Sequence, residues 1–437
     1  MLNLLRKLIP LDNPFRLFYH HITAVAANIR YGFPSKDMTI IWVTGTNGKT
    51  TTCNMIANGL KKSWKKIFMF TTVNIMIGDE QATNTTKMTS PDPFLLQRLL
   101  SDAKKAGCEI AIIETASHGI KFNRIWGLHY DVCVLTNITQ DHLDLHRTMK
   151  DYVNTKLKIF KNLITYNRKP GVKKTAVINV ESDYAELFLA ETYDSVYMYG
   201  QWTKANLTPS DIKNTITGTS FTVKVPWKDM KIETSFRWDF NVYNITAAIW
   251  VFMSFGMKPA QIEEAIREMS GIPWRMEEVK NKYGYKIFID YAHTADALDK
   301  VLTTLRQTGW MGRIITVFGA TWDRDKSKRP IMWEVVSRLS DMVILTQDDD
   351  YTEKTVDIIK DVLPWIERKE WEDFWIIPDR QEAIRTAIMA AEKNDAILIA
   401  GKWDEHLLLT NDGTIEWHDK TEVLKILTEI EQNEIVK

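Results

Sequence analysis

The chain is poor in glycine and in cysteine, and each scarcity excludes a class of protein. Glycine supplies only 19 of the 437 residues, below its usual share of about 7%, which excludes a collagen-like or glycine-rich low-complexity chain. Cysteine occurs only as Cys53, Cys108 and Cys133. Three thiols without metal-ligand spacing predict neither a disulfide framework nor a zinc site, and they fit a reducing compartment.

Charge imbalance and long apolar runs are also missing. The 56 Lys and Arg residues balance the 56 Asp and Glu residues, which argues against a nucleic-acid partner. No run of about 18 apolar residues is present, so we predict no membrane span. The N-terminal stretch lacks the long apolar core and the cleavage site of a signal peptide. We therefore expect a cytoplasmic protein, and we predict a monomer.

Short apolar runs alternate with helical patterns along most of the chain. A helix is predicted at 14–31, and strand-like runs follow at 38–45, 66–73, 108–117 and 130–138. This alternation predicts an α/β fold whose central sheet is P-loop-type, doubly wound and mostly parallel.

The segment 206–238 instead has the pattern of β-hairpins, and a second alternating series begins near residue 275. The second series predicts a C-terminal, Rossmann-like α/β domain. We place the domain boundary near Gly271–Pro273. The predicted organisation is therefore a short helical segment at 1–37, a central domain at 38–273 and a C-terminal domain at 274–437.

A phosphate-binding loop is predicted between the strand-like run at 38–45 and the helical pattern after it. The stretch TGTNGKTT occupies Thr44–Thr51, and this strand–loop–helix context favours anion binding by backbone N–H groups and the helix N-terminus. Lys49 is expected to reach the β- and γ-phosphates, and the Thr50 hydroxyl to bind Mg²⁺. The predicted nucleotide-binding residues here are Gly45, Thr46, Asn47, Gly48, Lys49, Thr50 and Thr51.

Two later blocks place polar side chains at the ends of predicted strands. The stretch ETASHGIKFNRI begins at Glu114, and TNITQDHLDLH covers Thr136–His146. A carboxylate and a histidine on neighbouring strand ends predict a divalent-metal site, because strand ends are where open α/β sheets bind ligands. Either block alone is also compatible with a solvated loop.

Together with MTSPDP at 88–93, these stretches resemble the Mur ligase superfamily, most closely its MurE branch, over about residues 38–425. Members of that branch add the third peptide residue to UDP-MurNAc-L-Ala-D-Glu in peptidoglycan synthesis. The resemblance implies an ATP-dependent amide ligase that acts through an acyl phosphate. It also implies two Mg²⁺ ions and three small-molecule substrates, namely ATP, the muramoyl dipeptide nucleotide and an amino acid.

The resemblance assigns roles in the central domain residue by residue. Lys49, Glu114, His142 and Lys156 are implied to be catalytic. Lys156 is expected to be carbamylated, with Lys158 as the alternative position. The implied metal ligands are Thr50, Glu114, His142 and Lys156. The implied contacts to the dipeptide are Thr89, Ser90, Ser117 and Arg124.

Further motifs lie in the second half of the chain. DFNVYN resembles a family element that places Asn241 and Asn244 near the nucleotide, and Arg275 and Asp290 are implied to contact ATP. Enzymes of this branch that add diaminopimelate carry D-N-P-R where this chain has DDDY, and the acidic sequence favours the cationic tail of lysine or a similar diamine. The implied amino-acid-site residues are Arg324, Asp348, Asp349 and Glu405.

The match departs from the family at the N-terminus. About 37 residues precede the predicted sheet, too few for the domain that holds the uridine nucleotide in the family. One alternative is therefore a Mur-like ligase that acts on another carboxylate, of the folate or polypeptide type. A second alternative is a non-catalytic nucleotide-binding paralogue.

Tryptophan is as unusual here as glycine, with 16 residues. Six tryptophans stand where the family motifs usually carry glycine, at Trp42, Trp238, Trp274, Trp322, Trp333 and Trp403. Tryptophan is a poor substitute where glycine provides a positive φ or a close backbone approach. We hypothesise that the gene reads UGA as glycine and that these residues are glycine in the cell. The alternative is a diverged, tryptophan-rich paralogue.

Overall fold

The computed structural model contains two compact units, Met1–Ser270 and Gly271–Lys437. The sequence-based boundary, at 271–273, lies next to this division. The structure describes residues 13–63, 65–86, 88–165, 168–201, 205–215, 218–225, 228–269, 276–307, 312–319, 328–348, 368, 372–402, 407–410 and 413–435.

The first unit is built on an eight-stranded sheet in the order β4-β3-β2-β5-β1-β6-β7-β8. Its strands are β1 Thr39–Thr44, β2 Ile67–Phe70, β3 Asn74–Ile77, β4 Glu80–Thr83, β5 Ile110–Thr115, β6 Val132–Leu135, β7 Thr175–Asn179 and β8 Ser195–Tyr199. All neighbours from β2 to β8 pair in parallel, whereas β3 and β4 pair antiparallel at one edge. The predicted mostly parallel α/β sheet is therefore confirmed.

The helices of this unit cover the central strands of the sheet, where β2, β5, β6 and β7 are buried at every position. They are α1 Pro14–Tyr31, α2 Lys49–Lys61, α3 Pro93–Lys105, α4 Ser117–Lys121, α5 Leu143–His146, α6 Met149–Thr165, α7 Ala185–Leu189, α8 Asp239–Ser254 and α9 Pro259–Arg267. Strand β1, with the sequence TIIWVT, is buried at every position except Thr39. Such a continuous apolar strand is what a parallel sheet covered on both faces requires.

The start of α1 shows how local sequence sets an element boundary. Asn13 is the N-cap, and its side chain accepts a hydrogen bond from the Phe15 N–H, while Pro14 occupies the first helical position. Proline fits there because that N–H has no intrahelical partner. Gly32 ends the helix with φ of 70°, a left-handed conformation that glycine adopts without strain.

A separate three-stranded antiparallel sheet follows β8, in the order β11-β10-β9. Its strands are β9 Thr208–Thr215, β10 Gly218–Lys224 and β11 Met230–Thr234. The predicted hairpins of 206–238 thus form this small sheet. Helix α8 comes directly after it and packs against α2.

The second unit has its own six-stranded sheet, in the order β12-β13-β17-β14-β15-β16, and a two-stranded hairpin. Only the β12–β13 pair is antiparallel in the larger sheet. The strands are β12 Glu277–Val279, β13 Lys286–Asp290, β14 Ile314–Phe318, β15 Met342–Leu345, β16 Phe374–Ile376, β17 Ala396–Ala400, β18 Leu407–Thr410 and β19 Gly413–Glu416. The helices are α10 Ala295–Gln307, α11 Lys328–Leu339, α12 Arg380–Ala390 and α13 Asp419–Ile435.

Candidate active site

The predicted phosphate loop lies between the end of β1 and the first turn of α2, and two of its residues must be glycine. Gly45 has φ of 153° and Gly48 has φ of 78°. A Cβ atom on Gly45 would lie 1.9 Å from the Thr136 hydroxyl oxygen, and one on Gly48 would lie 2.4 Å from Asn244 Oδ1. Both glycines therefore allow a close approach that no side chain would permit.

The end of the neighbouring strand β6 holds the loop in place. The Thr46 N–H donates to the Asn137 carbonyl oxygen at 2.8 Å, and the Asn47 N–H donates to Asn137 Oδ1 at 2.9 Å. The Thr136 hydroxyl donates to the Asn47 carbonyl at 2.6 Å. These bonds fix the loop backbone in the form of a cradle for an anion.

Lys49 and Thr50 are the first two residues of α2 and directly follow the phosphate-loop residue Gly48. Lys49 Nζ donates to the Thr46 carbonyl at 2.7 Å, so the ammonium group lies over the loop. The Thr50 hydroxyl donates to Glu114 Oε2 at 2.9 Å. Glu114 is 2% exposed and lies at the end of β5 beside Val43 of β1. Thr51 is buried in the same turn.

The donor set around Thr50 and Glu114 fits magnesium. A hydroxyl and a carboxylate are hard oxygen ligands of the kind that Mg²⁺ prefers beside substrate phosphates. Among the residues that the structure describes, no group of three or more His, Cys, Asp or Glu side chains is arranged to hold a metal ion. The two-ion site that includes His142 and Lys156 therefore stays a prediction.

His142 lies just before α5 with φ of 55°, in the left-handed region. Its Nε2 atom is 3.3 Å from Asp141 Oδ2, and its ring centroid is 4.6 Å from that of His118. His118 directly follows Ser117 in α4 and has no predicted role of its own, yet the fold places its ring against the candidate ligand. The ring contact restricts the orientation of His142.

Lys156 is a buried lysine whose amine points at the phosphate loop. Its side chain is 1% exposed, and Nζ donates to the Gly45 carbonyl at 2.7 Å while lying 4.6 Å from the centroid of the Tyr152 ring. Burial, and secondly the charge of Lys49, lower the pKa of Lys156 well below its usual value, against an opposing effect of Asp141. These surroundings favour a neutral amine.

The four residues predicted to contact the dipeptide lie on two segments that pack together. Arg124 Nη1 donates to the Ser90 carbonyl at 3.1 Å, and the Ala116 N–H donates to Ser90 Oγ at 3.3 Å. Ser117 is 1% exposed, and Thr89 lies beside Ser90. The approach requires Gly119, because a Cβ atom there would lie 2.3 Å from Ser90 Oγ.

Asn241 and Asn244 project from the first two turns of α8. Asn244 Nδ2 donates to Asn241 Oδ1 at 3.2 Å, and Asn244 Oδ1 accepts from the Thr52 hydroxyl at 3.3 Å. Since Asn244 Oδ1 also lies against Gly48, this pair borders the phosphate loop. The predicted contact of both residues with the nucleotide stays a prediction.

In the second unit, Asp290 ends β13 and binds main-chain N–H groups. Its Oδ2 accepts from Met276 N at 2.7 Å, and its Oδ1 accepts from Ala292 N at 2.8 Å. Asp348, at the end of β15, is 3% exposed. Arg275, Arg324, Asp349 and Glu405, with Trp274, Trp322 and Trp403, lie outside the described residues.

Sequence reasoning missed Arg380, which joins two strand ends of the second unit. Its side chain is fully buried and donates to both carboxylate oxygens of Asp419, at 2.8 and 2.7 Å. It also donates to the carbonyls of Gln347 and Ala400, at 3.3 and 3.2 Å. Arg380 therefore fixes the segments that carry Asp348 and Lys402. No motif marks it, because only the fold brings these carbonyls together.

Comparison with known families gives two matches along the chain. The Mur ligase middle domain matches residues 43–252, and the Mur ligase glutamate ligase domain matches residues 274–403. Together they include every candidate residue described above except Glu405.

Curated relatives and a solved structure agree with these matches. The UDP-N-acetylmuramoyl-L-alanyl-D-glutamate--2,6-diaminopimelate ligase of Clostridium tetani is 34% identical over 93% of this chain and 81% of its own. The ligase of the same name from Bacillus cereus is 36% identical over 87% of this chain and 76% of its own. A solved structure of a ligase with this name is 28% identical, with a TM-score of 0.61 over 90% of this chain and 79% of its own.

Proposed function

The chain belongs to the Mur ligase family and is an ATP-dependent ligase, and we propose that it joins a diamino acid to the D-glutamyl carboxylate of UDP-MurNAc-L-Ala-D-Glu. This reaction is a step of peptidoglycan precursor synthesis. We further propose that residues 38–273 bind ATP and that residues 274–437 bind the amino acid. The proposed acceptor is the one named for the relatives, which match this chain over most of its length.

One feature of the site supports the chemistry most directly. The Thr50 hydroxyl, in the first turn after the phosphate loop, lies 2.9 Å from the Glu114 carboxylate of β5, and the ammonium group of Lys49 is held over the loop at the Thr46 carbonyl. Phosphoryl transfer needs alignment and charge neutralisation far more than covalent help from the protein. A cradle of N–H groups, one cation and two oxygen ligands provide both.

The proposed reaction has two steps. The acceptor carboxylate attacks the γ-phosphorus of ATP, which forms the acyl phosphate and releases ADP. The amine of the incoming amino acid then attacks the acyl carbon, the C–O bond to phosphate breaks, and a proton leaves the nitrogen. Lys49 and the loop N–H groups stabilise the negative charge that develops on the phosphoryl oxygens.

Magnesium, when bound through Thr50 and Glu114, would neutralise the β- and γ-phosphate oxygens. His142 and Lys156 are proposed to hold a second ion. For Lys156 this requires carbamylation, in which the neutral Nζ attacks CO₂, an N–C bond forms and a proton leaves. The burial that lowers the pKa of Lys156 supplies the neutral amine that this chemistry needs.

The carbamate makes a testable prediction. We expect Lys156→Ala to lower phosphate release about a hundredfold or more, the usual effect of losing a group that stabilises transition-state charge. Lys158→Ala, on the exposed side of the same helix, is the matched control and should leave activity within about twofold, since most exposed substitutions are nearly neutral. Loss of activity in Lys158→Ala but not in Lys156→Ala would contradict the prediction and would assign the carbamate to Lys158.

Asp348 is proposed to bind the side-chain amine of the amino acid. Its carboxylate is buried between the ends of β14 and β17, where Cβ atoms on Gly319 and Gly401 would lie 2.9 Å and 3.1 Å from its side chain. A carboxylate attracts a cationic group and repels a second carboxylate. We therefore expect lysine or a similar diamine to be preferred over an amino acid with a second carboxylate.

Phosphate release from ATP tests the function and its specificity together. Two forms of the full chain are compared, one with its tryptophans unchanged and one with glycine at the six motif positions. Each is supplied with UDP-MurNAc-L-Ala-D-Glu. Separate reactions contain lysine, diaminopimelate, ornithine or no amino acid. Release that needs both the dipeptide and one amino acid supports the proposal. Release that needs a different carboxylate, or no release despite ATP binding, contradicts it.

A further inference from the structure

The turn after β2, residues 71–74, lies between the candidate metal ligands and the candidate acceptor segment, which is the stretch 88–90 with the predicted dipeptide contacts Thr89 and Ser90. The turn follows the carboxyl end of β2. This strand pairs directly with β5, which carries Glu114 next to its last residue. No motif in the sequence marks this turn. Its hydrogen bonds nevertheless reach both parts of the site.

Thr72 makes the two bonds that join these parts. Its backbone N–H donates to Glu114 Oε2 at 2.9 Å, the same oxygen that accepts from the Thr50 hydroxyl. Its hydroxyl donates to Thr89 Oγ1 at 2.8 Å. This bond holds the hydroxyl of Thr89, a predicted contact of the acceptor, against the turn.

Buried amide groups hold the turn rigidly in place. Asn54 of α2 and Asn74 exchange side-chain hydrogen bonds at 3.2 and 2.9 Å, and Asn54 also donates to the Thr50 carbonyl at 3.0 Å. The Thr71 hydroxyl donates to Asn74 Oδ1 at 2.6 Å. All three side chains are at most 4% exposed. The turn is therefore bonded to the helix that carries the phosphate-loop residues.

A second buried asparagine connects the turn with the acceptor segment. Asn84 Nδ2 donates to the Thr71 carbonyl at 2.7 Å and to the Met88 carbonyl at 3.2 Å. Met88 directly precedes Thr89. The acceptor segment is thus fixed to the turn at two points, through Asn84 and through the Thr72 hydroxyl.

We propose that Thr72 is a positioning residue of the ligase reaction. Its N–H orients the Glu114 carboxylate, and its hydroxyl fixes Thr89, so that one residue sets the separation between the phosphate site and the acceptor. This inference rests on the proposed function and concerns the same site. Because in-line transfer is sensitive to misplacement of the reacting groups, losing the bond to Thr89 should affect the acceptor more than ATP.

Replacement of the hydroxyl alone provides the test. Thr72→Val keeps the shape of the side chain and the backbone N–H bond to Glu114 but removes the bond to Thr89. We expect the KM for the dipeptide acceptor to rise about threefold to tenfold, the effect of one neutral hydrogen bond, with the KM for ATP changed less than twofold. Thr72→Ser keeps the hydroxyl and is expected to restore the acceptor KM.

Thermal unfolding of both variants separates positioning from folding. A general structural role would lower the unfolding temperature and change both KM values, or would leave Thr72→Ser as impaired as Thr72→Val. Either result, or an unchanged acceptor KM in Thr72→Val, overturns the role of Thr72. Absence of acceptor-dependent phosphate release in the unsubstituted protein is a different result, and it overturns the proposed function as well.

Discussion

Trp238 shows most clearly, at the scale of one residue, that a motif position is built for glycine. It precedes α8 with φ of 87° and ψ of 142°, a backbone conformation that L side chains rarely adopt and that carries strain of about 1–3 kcal/mol. Its side chain is nevertheless 4% exposed. A bulky buried residue in a glycine conformation is a conflict between backbone and side chain.

The other two described motif tryptophans have ordinary backbones. Trp42 is 1% exposed, lies 4.9 Å from the Tyr130 ring, and its indole Nε1 has no hydrogen-bond partner among the described residues. A buried donor without a partner destabilises the fold by about 1–3 kcal/mol. Trp333 packs against the Phe374 ring at 5.0 Å, and nothing in the structure marks it as a replaced glycine.

We therefore predict that Trp238→Gly leaves the free energy of unfolding unchanged or raises it. Removing a well-packed buried tryptophan normally costs about 3–5 kcal/mol, so a neutral result already indicates that the position suits glycine. Chemical denaturation of the full chain measures the difference.

Trp250 provides the control in the same helix. It has a helical backbone, its ring stacks on Tyr197 at 4.3 Å, and its Nε1 donates to the Met198 carbonyl at 3.4 Å. Trp250→Gly should destabilise the protein by at least about 4 kcal/mol, since it loses packing and adds a helical glycine. Equal losses for Trp238→Gly and Trp250→Gly would contradict the UGA hypothesis at position 238.

At the scale of elements, periodicity and punctuation predicted the strands and helices that carry the phosphate loop. The run before Gly45 is apolar from Ile40 to Val43, and Gly45 and Gly48 mark the turn into α2, so strand, loop and helix follow from local sequence. The β3–β4 hairpin was not predicted, because each of its two strands has only four residues and their sequences mix polar and apolar side chains. The Asn54–Asn74 pair was not predictable either, since 20 residues separate partners that only the sheet order brings together.

His146, at the end of α5, gives a prediction about pH. Its side chain is fully buried, its Nδ1 is 3.5 Å from Asp151 Oδ2, and its Nε2 has no partner among the described residues. Burial, and secondly the charge of Lys121, lower the pKa of His146 from 6.5 to about 4, although Asp151 opposes the shift.

The sign of the effect follows from which state binds the proton. Between pH 6.5 and about 4 the unfolded chain protonates His146 and the folded chain does not, so acid favours unfolding. The stability should be fully present above the higher value, decline by up to about 3 kcal/mol as the pH falls through this window, and then level off. Urea unfolding at a series of pH values measures this slope.

Two histidine variants identify the source of the slope. His146→Gln should be less stable at neutral pH but should lack this part of the pH dependence. His21→Gln is the control. It changes a partly buried histidine that contacts Trp126 and not His146, so this variant should retain the slope. A slope that persists in His146→Gln would assign it to other groups.

At the scale of the whole molecule, each unit has its own sheet and its own apolar core. In the first unit the core includes Ile40, Phe68, Phe70 and Ile113, and in the second it includes Ile287, Val317, Ile344 and Ile399. The sequence predicted both α/β units, because each has its own alternation of apolar runs and helical patterns. The sequence indicated each motif of the site but not which motifs lie next to each other, because the order of the strands in the sheet decides that.

This organisation predicts that residues 1–270 fold and bind nucleotide without the second unit. The phosphate loop and its hydrogen-bond partners Thr136, Asn137, Thr139, Tyr152 and Lys156 belong to the first unit. We expect the fragment to unfold cooperatively and to bind Mg²⁺–ATP, as measured by calorimetry. Lys49→Met in the fragment should weaken binding at least about tenfold, the usual value of a charge-assisted hydrogen bond.

The same fragment should release no phosphate when the acceptor and an amino acid are added. Asp290, the predicted ATP contact at the end of β13, and Asp348, the proposed amino-acid contact, both lie in the second unit. Without the second unit the proposed amino-acid site is absent, so no amine is positioned to attack the acyl phosphate. A fragment that binds ATP but does not ligate therefore agrees with a division of labour between the units. A fragment that fails to fold, or one that ligates alone, contradicts it.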